Sequence, residues 1–214
     1  MQNHEPFHNR RWCVRSIHWF AVCTVLCAST TPAFAEPQCF DAVPAELGGS
    51  AWADVKPTTL GPSQRELAAA LFRALDGRWH GEASAYTCIG AGPSSGRTLK
   101  LYVVDMEVRR QLDDALALVG KLTSQPRGTN YSESLRLILS KDRLRVNFDA
   151  LAGDVGLLAL SAHEVAFIEI GGGRPGVRLK IRRRIAISGQ SLVVEYAVYS
   201  QGGLSSAAVW TLTR

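Results

Sequence analysis

From Arg78 to the C-terminus, apolar and polar residues alternate in short runs, the two-residue period of strands that bury one face. About ten strands are predicted, near 78–88, 98–110, 115–123, 130–140, 143–148, 155–160, 164–170, 177–187, 191–200 and 204–213. Turn signals separate them at Gly90 to Gly96, Lys141-Asp142, Ala162-His163, Gly171 to Gly176, Gly189-Gln190 and Gln201 to Gly203. The stretch 105–118, with Met106, Arg109, Arg110 and its aspartates, also fits a helix. One helix precedes the strands: Ser63 and Glu66 read as a capping box, Leu67, Ala70, Leu71, Ala74 and Leu75 as one apolar stripe, and Gly77 as the C-cap. Residues 36–62 have no period and read as an irregular arm. Short connections favour antiparallel neighbours, because parallel pairing needs long crossovers. The predicted fold is therefore all-β, an antiparallel up-and-down barrel with one short N-terminal helix, in a single domain over 63–214.

The last three strands also predict a register. A two-residue turn led by Gly189 pairs Ile187 with Leu192, Ile185 with Val194, Arg183 with Tyr196 and Ile181 with Val198. It sets Arg184 against Glu195 on the other face, beside Arg178, Lys180 and Arg182. A three-residue turn, Gln201-Gly202-Gly203, then brings Ser206, Ala208, Trp210, Leu212 and Arg214 onto the apolar face. That face is apolar except for Arg183 and Tyr196.

The N-terminus changes the picture of where the chain works. Arg10, Arg11 and Arg15 precede an apolar run from Trp19 to Ala28, and Pro32-Ala33-Phe34-Ala35 offers an A-x-A cleavage site. Residues 1–35 therefore read as a signal peptide cut after Ala35, and the mature chain as periplasmic or secreted. Arg10-Arg11 loosely resembles a twin-arginine signal, which leaves the Sec and Tat routes both open. Val22 and Leu26 before Cys23 and Cys27 do not fit a lipoprotein signal. The whole chain carries 24 Lys and Arg against 19 Asp and Glu, net +5; after Ala35 there remain 21 and 18, net +3. A balance that mild gives no argument for nucleic acid. Cys39 and Cys88 are the two cysteines left, a disulfide in an oxidising compartment or else two buried thiols.

The segment Leu75-Asp76-Gly77-Arg78-Trp79-His80-Gly81-Glu82 resembles the G-x-W opening of lipocalins and related calycin barrels. That resemblance implies that Trp79 closes the barrel floor, that Arg214 lies over it from the last strand, and that the interior holds a small apolar ligand. The G-x-W-x-G spacing is also similar to ten-stranded nitrobindin-type haem barrels. This chain departs from them with Ala83 in place of a glycine and no histidine after His163, so no haem or other cofactor is expected.

Candidate chemistry is sparse. Arg183 inside a barrel reads in two ways. With Tyr196 and Trp210 it forms a ligand-binding set that fixes the carboxylate or phosphate of an amphipathic ligand, or it pairs with an internal acid or turns outward. The row Arg178, Lys180, Arg182 and Arg184 reads as a contact for an anionic envelope surface or as a solvated face. Gly92 to Gly96 matches G-x-S-x-G and Gly171 to Gly176 matches G-x-G-x-x-G, but both lead into strands, so neither builds a nucleophile elbow or a phosphate cradle. His80-x-Glu82 lacks a third metal ligand and His163 sits in a turn. Asn130-Tyr131-Ser132 is a formal glycosylation sequon. No catalytic residue, metal set or acid–base pair emerges. The expectation is an exported barrel that holds an apolar or anionic amphipathic, lipid-like ligand without transforming it. The alternative is an envelope interaction or structural protein with a side-chain-filled barrel.

Overall fold

A computed structural model describes residues 39, 42–45, 56–89, 96–111, 114–148, 151–172, 178–200 and 203–214. Residues 1–35, read above as a signal peptide, most of residues 36–62, and residues 90–95, 112–113, 149–150, 173–177 and 201–202 lie outside them. The elements are α1 (Pro62–Leu75), β1 (Gly77–Ile89), β2 (Gly96–Gln111), β3 (Ala115–Gln125), β4 (Asn130–Ser140), β5 (Arg143–Phe148), β6 (Leu151–Asp154), β7 (Gly156–Leu160), β8 (Glu164–Gly172), β9 (Arg178–Ser188), β10 (Ser191–Ser200) and β11 (Gly203–Thr213). Residues 105–111 are strand, which settles that segment against a helix.

All eleven strands form one antiparallel sheet in the order β6-β5-β4-β3-β2-β1-β11-β10-β9-β8-β7. The two outer strands of that order are consecutive in the chain. Residues 151–154 pair with β5 and residues 156–160 pair with β8, so one segment bent at Val155 nearly closes the barrel. The sequence pattern missed β6 because only four residues pair and Gly153 interrupts them. The seam at the bend is bridged from outside the strand order. Thr58 N–H donates to Val155 O at 3.2 Å, Leu157 N–H to Thr58 Oγ1 at 2.9 Å, and Leu60 N–H to Asp142 O at 2.6 Å. These bonds satisfy edge groups that would otherwise face solvent or another chain.

The β9–β10 hairpin has the register its turn predicts: Ile187–Leu192, Ile185–Val194, Arg183–Tyr196, Ile181–Val198 and, outside, Arg184–Glu195. Gly189 sits at φ +58°, a value the turn requires and glycine adopts without strain. Between β10 and β11 the predicted pairs also form, Val198 with Ser206 through Leu192 with Leu212. The turn itself is shorter than predicted, since β11 already begins at Gly203. A bulge at Val198/Tyr199 absorbs the one-residue difference.

Helix α1 lies across the end of the barrel where β1 begins. It starts two residues early, with Gly61 as N-cap and Pro62 in the first turn. The Ser63–Glu66 capping box does not form; instead Gln64 Oε1 accepts the Gly61 N–H at 3.0 Å. The buried stripe is Ala68, Leu71, Phe72 and Leu75, while Leu67 is 37% exposed. Phe72 explains the rotation, because the face that includes it buries more apolar area than one built on Ala70 and Ala74. At the C-terminal end, Trp79 Nε1 donates to Leu75 O at 2.9 Å, and Arg214 Nη2 donates to Ala74 O at 2.6 Å and Asp76 O at 2.8 Å. The Arg214 guanidinium stands 4.5 Å from the Trp79 ring centroid. The last side chain thus caps the helix carbonyls and covers the fully buried indole of the first strand.

Gly81 makes that closure possible. A Cβ there would lie 2.2 Å from Thr211 O on β11, and backbone cannot retreat without breaking the pairing. Gly81→Ala is expected to lower the unfolding free energy in urea by about 2–3 kcal/mol, as overpacking does; an unchanged midpoint would contradict the close approach.

A second, smaller core lies on the outer face. Tyr86, Ile168, Tyr199, Leu204 and Ala207 are buried there, packed by Val43, Ala197 and the Cys39–Cys88 disulfide. The disulfide ties the arm to β1. This face corrects the expected basic row: Lys180 is 2% exposed, and Arg184 is held by Glu164 at 3.0 Å and Glu195 at 3.4 Å. Arg182 is half-buried, and the Arg178 side chain lies outside the described residues. Two of the four cations are thus unavailable to an anionic surface.

Candidate functional site

Inside the barrel, the level next to α1 is apolar: Phe72, Leu75, Trp79, Leu116, Leu137, Phe167, Ile185, Leu192 and Leu212 fill it. Alternation along β9 and β10 carries the inward face from Ile185 and Val194 to Arg183 and Tyr196, nearer the opposite end. Alternation along β4 does the same from Leu135 to Glu133. These polar side chains line one recess with Met106, Leu118, Gly120, Ser134, Leu135, Val194 and Trp210. Arg183, Tyr196 and Trp210, separated by up to 27 positions in sequence, therefore meet at one place.

The cavity in this recess is about 20 Å³, and the recess reaches about 340 Å³ when its opening to solvent is counted. The former is room for roughly one or two waters. Side chains explain why it is small. Trp210 stands over Gly120 so closely that an added Cβ would meet its ring at 3.0 Å. On the neighbouring strand, the small Ala83 is the direct pairing partner of Trp210. A lipid tail has no enclosed channel here.

Arg183 is 5% exposed and Glu169 6%. Arg183 Nε donates to Glu169 Oε1 at 2.6 Å, and its guanidinium stands 5.3 Å from the Tyr196 ring centroid. The arginine is inside and paired with an internal acid. A ligand carboxylate or phosphate would have to compete with Glu169 for it.

Burial, reinforced by the Glu133 carboxylate and opposed by Arg183, pushes the Tyr196 phenol up to about 12. Burial, then the neighbouring Tyr131 and Glu133, raises Tyr102 as well. Tyr102 and Tyr131 meet edge to face with centroids 5.9 Å apart. At neutral pH the Tyr196 hydroxyl is protonated and able to donate. Because its folded-state value lies above the unfolded value near 10, its contribution is full below pH 10 and is lost as pH rises towards 12. Stability should therefore fall by up to about 2–3 kcal/mol more in the parent than in Tyr196→Phe across that window. Equal losses in urea titrations at pH 9 to 12 would refute the placement.

Glu169 and Glu133 were not singled out in the sequence. The alternation Leu135, Leu137, Leu139 would have placed Glu133 inward, had it been extended towards the start of β4. His80 pairs with Asp105 on the exposed outer face, and His163 sits in the turn before β8. Among the described residues, no three His, Cys, Asp or Glu side chains are grouped to hold a metal.

No known family and no curated protein matches the chain. Among solved structures it is similar to an S-type phycobiliprotein lyase, CPES, from Guillardia theta, at 14% identity and a TM-score of 0.47, covering 69% of this chain and 92% of that one. It is also similar to a redesigned β-barrel, mFAP1, bound to DFHBI, at 13% identity and a TM-score of 0.33, covering 68% of this chain and 99% of that one.

Proposed function

We propose that this chain is an exported binding barrel that seats a compact small ligand in the recess between Arg183, Tyr196, Trp210 and Glu133. The observation that carries the reading is where the interior spends its charge. Among the described residues, the buried charged side chains are Glu169, Lys180 and Arg183, and two of the three form an ion pair inside the barrel next to the recess. A buried pair recovers its desolvation cost poorly, and apolar residues of the same volume hold a core as well or better. Its place beside an indole, a phenol and an opening suits recognition. The size of the cavity narrows the earlier expectation from a lipid-like ligand to a compact one lodged at the opening. Export is supported by the leader pattern and by a disulfide, which persists in oxidising compartments.

Native mass spectrometry of the protein isolated from its own host tests this. The expected spectrum shows a chain beginning at Glu36 with a bound small molecule that Trp210→Ala releases. A chain that retains residues 1–35 refutes export, and a ligand-free chain refutes the binding reading. The small volume of the recess favours a second reading, a barrel whose outer surface does the work. Leu101 and Val209, both exposed, flank Ser84 on neighbouring strands.

A further inference from the structure

We infer that the barrel wall has a gate at the corner between β6 and β7, and that residues 57–60 are the latch that holds it shut. None of the residues lining the recess belongs to this corner, so the inference stands apart from the binding reading. The wall is unevenly paired. β6 is 4 residues long and β7 is 5, whereas β1, β2, β9, β10 and β11 run from 10 to 16. The strand order ends at these two short strands, and an irregularity between Leu157 and Ala159 interrupts the pairing of β7 with β8. Segments with few ladder bonds and few buried contacts open ahead of the molecule as a whole.

What holds the corner comes from the chain just before α1. Val155 is gripped on both sides: its N–H donates to Leu144 O at 3.3 Å, and its C=O accepts the Thr58 N–H at 3.2 Å. Thr58 Oγ1 accepts the Leu157 N–H at 2.9 Å, Thr59 forms a β-bridge with Arg143, and Leu60 N–H donates to Asp142 O at 2.6 Å. One short stretch thus spans from β7 to β5. Leu60 and Val155 are 4% and 1% exposed and belong to the main core, so apolar packing seals the shut corner. The other clasp is Asp154, held by Arg143 at 2.8 Å and Arg145 at 3.1 Å. Its side chains are partly exposed, where water and salt weaken the pairs. Leu144, Val146 and Val165 of the core lie on the strands around the corner, so opening it breaches the wall instead of fraying a surface turn.

Amide hydrogen exchange of the whole protein, followed by ¹H–¹⁵N NMR, tests this. The amides of Leu60, Val155 and Leu157 are expected to share one protection factor, about 100-fold below that of the bonded amides of β10 and β11. Thr58→Val keeps the shape of the side chain and removes the Oγ1 acceptor. It should lower protection about tenfold at all three positions and leave β10 and β11 unchanged. Thr58→Ser, which keeps the acceptor, should restore it. If the three amides are as protected as those of β10 and β11, the corner opens only with the whole barrel and the inference falls. It falls as well if Thr58→Val affects Leu157 alone, because that is the loss of one bond and not the release of a latch. Should Thr58→Val not fold, the comparison within the parent protein decides.

Discussion

Replacing Arg183 by methionine should cost the fold about 3–5 kcal/mol, the largest single effect expected from one side chain in this barrel. The loss comes less from the missing bond than from what remains. Glu169, 6% exposed, would keep a carboxylate inside the barrel with its guanidinium gone. Phe167, which pairs directly with Arg183 across β8 and β9, offers nothing to hydrogen-bond it. Glu169→Leu should be comparably damaging for the converse reason. The double variant Arg183→Met/Glu169→Leu should recover most of the loss, because two apolar side chains restore packing without an orphaned charge. Urea unfolding of the four proteins measures this as a double-mutant cycle. Additive losses in the double variant would mean that the two residues do not act as a pair. The double variant also separates fold from function, since a stable barrel without the pair should lose its ligand.

Breaking the disulfide should cost about 4 kcal/mol, the chain-entropy value for the 49-residue separation of Cys39 and Cys88. The outer cluster around Tyr86, Tyr199 and Leu204 loses its tether at the same time. Cys39→Ser/Cys88→Ser, or reduction of the parent, should lower the urea midpoint accordingly. Ligand affinity at the recess should barely change while the protein stays folded, because the bond lies on the outside of the wall. A large change in affinity without unfolding would mean that the arm contributes to the site.

How much could be read from sequence followed what local rules can fix. The β9–β10 register was legible because a two-residue turn at Gly189 leaves one alignment, and that alignment put Arg183 beside Tyr196. Glu169 was not legible as Arg183's partner, because Gly171 to Gly176 is too long a connection to set the register of β8 on β9. The strand β6 was lost because a four-residue run with Gly153 has too few alternations to register as a period. The helix was found but turned by one position, since small alanines on both flanks leave the phase to Phe72, whose pull is a packing effect. Trp210 was placed on the inward face by alternation, yet its fit over Gly120 depends on a strand three places away in the sheet. The cavity's size follows from such long-range fits, so the pattern could announce a barrel without saying how full it is.

The central claim is that ligand is held in the recess and not on the outer wall. Chemical-shift mapping with the ligand recovered from the host tests it most directly. The account predicts that the largest shifts gather at the Trp210 indole and at the amides of Glu133, Arg183 and Tyr196. Shifts centred on the exposed Leu99, Leu101 and Val209, with those four positions unmoved, would contradict it.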